Sequence, residues 1–158
     1  MKKFLPALVA LTSLSLLVGC SDPTGGGVRQ CEFYEKSGSK KSETYMLFSG
    51  IKVGLWSTWY ENGRKESEGQ YQDGEREGLW TVWYENGQRD TEGEFRNGEK
   101  EGRWTNWYDN GKTKSEGQYQ NGEREGRWAD WSEDGSINNE KSGIYKAGKR
   151  IAPLPEKK

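Results

Sequence analysis

Histidine is absent from the chain, and with it go the commonest general base and the commonest metal ligand. Cysteine occurs only at positions 20 and 31, too few for a Cys/His cluster. An EF-type loop, a phosphate-cradling glycine loop and a nucleophile–base pair are missing as well. No catalytic residue, metal site or cofactor is therefore expected, and the chain reads as a protein that is not an enzyme. An excess of either charge is also lacking. The 24 basic side chains meet 25 acidic ones, a balance that asks for neither nucleic acid nor an anionic surface. Long apolar stretches are confined to one run from Phe4 to Val18, too short for a spanning helix.

That run follows Lys2 and Lys3, so residues 1–19 read as a signal peptide. It ends in Leu17-Val18-Gly19-Cys20, which resembles a bacterial lipobox. The resemblance implies that Cys20 becomes the acylated first residue of the mature chain, held to a membrane without crossing it. Ser21, rather than an aspartate, follows Cys20 and resembles the outer-membrane pattern of double-membraned bacteria. The expected location is thus the cell envelope. Residues 20–30, with Pro23 and three consecutive glycines, read as the acylated cysteine and a flexible tether. Cys31 then has no internal partner, leaving a buried or free thiol or a bridge between chains.

What dominates the rest is a period of 24 residues. Gly54, Gly78, Gly102 and Gly126 open the units. Trp56, Trp80, Trp104 and Trp128 follow, then Trp59, Trp83, Trp107 and Trp131, so all eight tryptophans fall in two columns. Asn62-Gly63, Asn86-Gly87, Asn110-Gly111 and Asp134-Gly135 mark one set of turns; Asp73-Gly74, Asn97-Gly98 and Asn121-Gly122 mark another. Such aligned signals define a repeat array. Residues 31–53 form a degenerate N-terminal capping repeat, 54–150 four repeats with the last divergent, and 151–158 a C-terminal tail. Asn-Gly and Asp-Gly favour hairpins, which predicts an all-β chain of about nine strands. Its 24-residue β-hairpin units build an elongated, twisted, mostly single-layer antiparallel sheet.

A two-residue loop at Asn62-Gly63 pairs Tyr60 with Lys65, Trp56 with Gly69 and Gly54 with Tyr71, each tryptophan of the first column covering the glycine it pairs with. Alternation then gathers Trp56, Trp80, Trp104 and Trp128 with Tyr71, Phe95 and Tyr119 on one face, as the repeat core, joined by Tyr60, Tyr84 and Tyr108. The opposite face receives Trp59, Trp83, Trp107 and Trp131. This second column could grip a partner's side chains or stack sugar rings. It could equally be a clamp between repeats, with Arg64 opposite Trp83 and Lys112 opposite Trp131. Arg76, Lys100 and Arg124, interleaved with Glu75, Glu77 and their counterparts, are expected in exposed cross-strand ion pairs.

The segments EGQYQDGEREG (68–78), EGEFRNGEKEG (92–102) and EGQYQNGEREG (116–126) resemble the MORN repeat, Y-x-G-x-x-x-x-G-x-x-H-G. Ser67, Thr91 and Ser115 replace its tyrosine; Glu77, Glu101 and Glu125 replace its histidine. With the W-x-x-W-Y-x-N-G half, residues 44–150 resemble the bacterial MORN-variant family, often labelled as antitoxins. The resemblance implies stacked hairpins with a groove used for protein contacts. A non-catalytic envelope lipoprotein with a protein-interaction or scaffolding surface is the leading expectation. A glycan or lipid-headgroup binder is the second, and an antitoxin or immunity role the third.

Overall fold

The computed structural model describes residues 27–33, 37–47 and 49–155, with side chains from residue 37 onward. The signal peptide, Cys20, most of the tether, the side chain of Cys31 and the last three residues lie outside the described residues. Eleven strands follow one another in chain order across a single open antiparallel sheet. They are β1 (Gly27–Phe33), β2 (Lys40–Leu47), β3 (Lys52–Trp59), β4 (Lys65–Gln72), β5 (Glu75–Trp83) and β6 (Arg89–Arg96), then β7 (Glu99–Trp107), β8 (Thr113–Gln120), β9 (Glu123–Asp130), β10 (Gly143–Lys146) and β11 (Lys149–Ala152). The chain is all-β, an array of hairpins. Two strands exceed the expected nine. β1 begins at Gly27, inside the stretch read as tether, and pairs along β2; β11 closes a last hairpin on β10.

The two turn types of each repeat differ in construction. At Asp73-Gly74, Asn97-Gly98 and Asn121-Gly122 both residues have positive φ, between 49 and 88°, and the flanking residues pair directly, as Gln72 with Glu75. These are two-residue type I′ hairpins, the connection whose twist matches that of the strands. At Asn62-Gly63 only the glycine has positive φ. There the Tyr60 N–H donates to the Arg64 carbonyl and the Gly63 N–H to the Tyr60 carbonyl, so the loop has three residues rather than two. Asn62 holds it by accepting the Arg64 N–H at 2.9 Å.

The longer loop shifts the register by one, and Trp59 pairs with Lys65. Tyr60 does not reach Lys65 as the two-residue loop required. A bulge at Glu66 absorbs the offset, so that Thr58 pairs with Ser67, Trp56 with Gly69 and Gly54 with Tyr71. A second irregularity lies on the other side of each unit: Glu68 pairs with Thr81 but Gln70 with Glu77. Two extra residues of β5 are accommodated there, with Gly78 at φ 68°, a conformation that costs glycine little.

This second bulge decides where the indoles lie. Trp80 pairs with Gly93, yet its ring covers Gly69 on the opposite neighbour, where a Cβ would sit 2.2 Å from the ring. Trp104 covers Gly93 and Trp128 covers Gly117 in the same way. The indole N–H fixes the choice, Trp80 donating to the Gln70 carbonyl at 3.1 Å and Trp128 to that of Gln118 at 2.8 Å. The expected covering of the paired glycine is therefore replaced by covering of the preceding one.

Between the indoles stand Tyr71, Phe95, Tyr119 and Tyr145. The column Trp56, Tyr71, Trp80, Phe95, Trp104, Tyr119, Trp128 and Tyr145 makes an unbroken series of edge-to-face contacts with centroids 5.0 to 6.5 Å apart. Trp80, Phe95, Trp104 and Trp128 form its buried centre. Each such pair contributes about 0.5–1.5 kcal/mol beyond the area it buries. Tyr60, Tyr84 and Tyr108 do not join this column. Their hydroxyls donate instead to the carbonyls of Trp83, Trp107 and Trp131 at 2.7 to 2.8 Å, tying each repeat to the next.

Gly93→Ala should destabilise the protein by about 1–3 kcal/mol in urea denaturation, the usual cost of overpacking. Combined with Trp104→Leu, which removes the obstructing ring, the alanine should add less than about 0.5 kcal/mol. An unchanged penalty in the double variant would show that the indole is not what excludes the methyl group. Tyr84→Phe, which removes the hydroxyl that donates to the Trp107 carbonyl, should cost about 1 kcal/mol in the same assay.

Candidate binding groove

The face that carries the aromatic column also carries a column of cations, one per repeat. Arg76 is directly cross-strand from Tyr71, Lys100 from Phe95 and Arg124 from Tyr119, and cross-strand partners share a face. Glu75 and Glu77, the chain neighbours of Arg76, are thereby turned to the other side. Lys52 lies 4.1 Å from the centroid of Trp56 and 5.0 Å from that of Tyr71. Arg76 spans Trp80 and Phe95 at 4.8 and 5.1 Å, and Lys100 spans Trp104 and Tyr119 at 4.1 and 5.0 Å.

The expected ion pairs of Arg76, Lys100 and Arg124 with the interleaved glutamates are not formed. Glu77, Glu101 and Glu125 accept instead from the backbone N–H groups of Asn97, Asn121 and Ala147, capping the type I′ turn of the following unit at 2.9 to 3.1 Å. Among the described residues the ion pairs lie elsewhere, as Lys40 with Glu43, Lys65 with Glu68 and Arg103 with Glu116. Only Arg124 of the column meets a carboxylate, Asp130 at 3.7 Å. Like the others it spans two rings, 4.2 Å from the Trp128 centroid and 5.3 Å from that of Tyr145.

What remains open is a groove of about 480 Å³ over the first three cations, lined by Lys52, Arg76 and Lys100, by Ser67 and Thr91, and by the aromatic column from Trp56 to Trp104. Asp90 is the one carboxylate in the lining. It accepts from the Thr91 hydroxyl at 3.3 Å and, after burial itself, contributes to pushing the Tyr84 hydroxyl up to about 12. The groove is polarised, with cations toward the type I′ turns and Asp90 toward the three-residue loops.

Partial burial, and then the neighbouring charges of Arg124 and Arg76, hold the Lys100 ammonium below the ordinary lysine range. Burial would lower Arg124 too, but hydrogen bonds to Tyr119 and Tyr145 and the charge of Asp130 hold it above its ordinary value. The cation column is thus under mutual repulsion where no carboxylate compensates it.

The second tryptophan column sits on the opposite face, where Trp59, Trp83, Trp107 and Trp131 are all half-buried. Lys40 approaches Trp59 at 5.1 Å and Lys65 approaches Trp83 at 5.9 Å. Arg64 and Lys112, expected over Trp83 and Trp131, donate instead to the carbonyls of Glu85 and Glu133 in the next loop. The one-residue shift at the loop gives Trp83 to Lys65 rather than to Arg64. Sequence reasoning missed Lys52, Arg76 and Lys100 as a column, although they recur every 24 residues. Arg76 and Lys100 stand between glutamates in the chain, whereas their partners lie across the strand.

Arg76→Gln should raise the Lys100 pKa toward that of free lysine, because it removes one like charge beside it. The Lys100 Nζ resonance followed by NMR titration reports this; an unmoved pKa would leave the depression to burial and the charge of Arg124.

No curated protein matches the chain. Residues 52–73, 76–97 and 100–121 each match the family model described as MORN repeat variant, a shorter extent than the resemblance suggested. The three matched segments run from the start of β3, β5 and β7 to the type I′ turn that ends the same unit, so the segments similar to that model are the ones that carry the groove.

Proposed function

We propose that this protein is a non-catalytic, lipid-anchored protein of the bacterial cell envelope whose repeat sheet holds another protein. The observation that carries the reading is the open groove, in which one cation and one aromatic pair recur with every repeat on a single-layer sheet. Copies of a contact at fixed spacing strengthen the holding of an extended partner, whereas catalysis needs one asymmetric constellation. MORN-variant repeats are consistent with an interaction or scaffolding role of this kind. The anchor rests on the lipobox resemblance at Cys20, and the tether would carry the sheet clear of the headgroups.

The arrangement favours a protein over a neutral glycan. Sugar stacking needs bare aromatic faces, and the rings of the groove have their faces under Lys52, Arg76 and Lys100. An immunity role against an incoming envelope toxin would use the same surface.

Photo-crosslinking in intact cells of the native host tests the reading. Val82 lines the groove and Trp83, its neighbour in β5, points to the other face, so a probe at each samples one side. A single discrete protein captured at position 82 and missing at position 83 is the expected result. Capture of lipid or glycan alone at position 82 would overturn it.

A further inference from the structure

We propose that the groove receives an acidic segment of a partner protein in polyproline II conformation, laid across the strands with an acidic residue at every third position. The inference rests on the interaction reading above and names the chemistry of the partner.

The spacing of the cations is the first reason. Lys52, Arg76 and Lys100 stand on β3, β5 and β7, two strands apart each time, which sets them at intervals of about 9.6 Å. Polyproline II has three residues per turn and rises about 3.1 Å per residue, so side chains three apart project from one side at intervals of about 9.3 Å. A β-strand cannot meet this spacing. Its side chains share a side every second residue, at about 6.8 Å or about 13.6 Å.

Charge is the second reason. Among the described residues no carboxylate pairs with Lys52, Arg76 or Lys100, and Lys100 is held low by burial and, after it, by the charges of Arg124 and Arg76. An anion at each position relieves that repulsion. Arg124 is already paired with Asp130 and lies outside the groove lining, so the groove offers three positions and takes a segment of about seven residues with acids at its first, fourth and seventh places.

The groove floor is the third. It consists of aromatic rings and side-chain hydroxyls rather than a sheet edge, so it gives no backbone ladder for an added strand. Its hydroxyls are partly used among themselves, Thr58 with Ser67 at 2.7 Å and Thr91 with Asn106 at 3.0 Å. Polyproline II needs no ladder, since its backbone stays solvated, and Pro-rich segments dock on aromatic-lined grooves. Asp90, at the far side of the groove, repels a chain that carries acids on both sides and so orients the acidic side toward the cations.

The test uses the purified full-length protein and two fluorescein-labelled nonapeptides of equal composition, (Glu-Pro-Pro)3 and Glu-Pro-Glu-Pro-Glu-Pro-Pro-Pro-Pro, with binding read by anisotropy. The evenly spaced peptide should bind at least about fivefold more tightly, and Arg76→Gln or Lys100→Gln should each weaken it by roughly fivefold. Arg103→Gln, on the opposite face, should leave it unchanged. Arg76→Lys should retain most of the binding, and it keeps the experiment decisive should the glutamine variant fail to fold. Equal binding of the two peptides, or no binding of either, would overturn the proposal. A crosslinked protein at position 82 together with equal peptide affinities would leave the interaction reading standing and remove the polyproline II assignment alone.

Discussion

The structure depends on an indole lying flat against a backbone that has no side chain. Gly69, Gly93 and Gly117 give Trp80, Trp104 and Trp128 their places, and a single methyl group at any of them would meet the ring at 2.2 Å. A single-layer sheet has no second layer to cover its apolar face. Each tryptophan supplies that cover locally, by bending over the strand before it and donating its N–H to that strand's carbonyl. Glycine within a strand ordinarily weakens it; here the loss is offset by the ring that occupies the vacated space. The contact joins one hairpin to the preceding one, so burial grows with the number of stacked units and a lone repeat has little of its own.

The period, the two tryptophan columns and the hairpin turns were all legible in the sequence, because they depend on spacing and on residues with strong local preferences. The pairing of Trp56 with Gly69 was legible for the same reason. What escaped were the irregularities. Asn62-Gly63 and Asn97-Gly98 look alike as dipeptides, but Asn97 takes positive φ while Asn62 uses its side chain to accept the Arg64 N–H. That difference of one residue moves Lys65, not Arg64, beside Trp83. Likewise the extra residues at Gly78 and Leu79 have no signal beyond a glycine already assigned to the repeat's opening. They turn the indole from the glycine it pairs with to the one before.

The cation column was visible as a period and invisible as a site. In the sequence Arg76 stands between Glu75 and Glu77, and charge alternation along a strand reads as a surface of ion pairs. Strand geometry separates the three: the glutamates take the other face, where Glu77 serves the next turn, and the arginine is left with Tyr71 and the indole of Trp80. Alternation within a strand must therefore be resolved before alternation of charge is read.

These cations serve two ends that pull in different directions. Over the rings, Lys52, Arg76 and Lys100 contribute about 0.5–1 kcal/mol each as surface cation–π contacts, and their charged heads keep an aromatic face from presenting a bare apolar patch to other chains. The same placement sets like charges in a row with no carboxylate among them, which weakens the fold slightly and, added to burial, leaves Lys100 readier to lose its proton. A column selected for stability alone would gain from acids interposed across the strands. At the C-terminal end that is what is found, where Arg124 meets Asp130 and Tyr145 encloses the last ring. One carboxylate at that end compensates its cation, and the cations of the other three units have none across the strand.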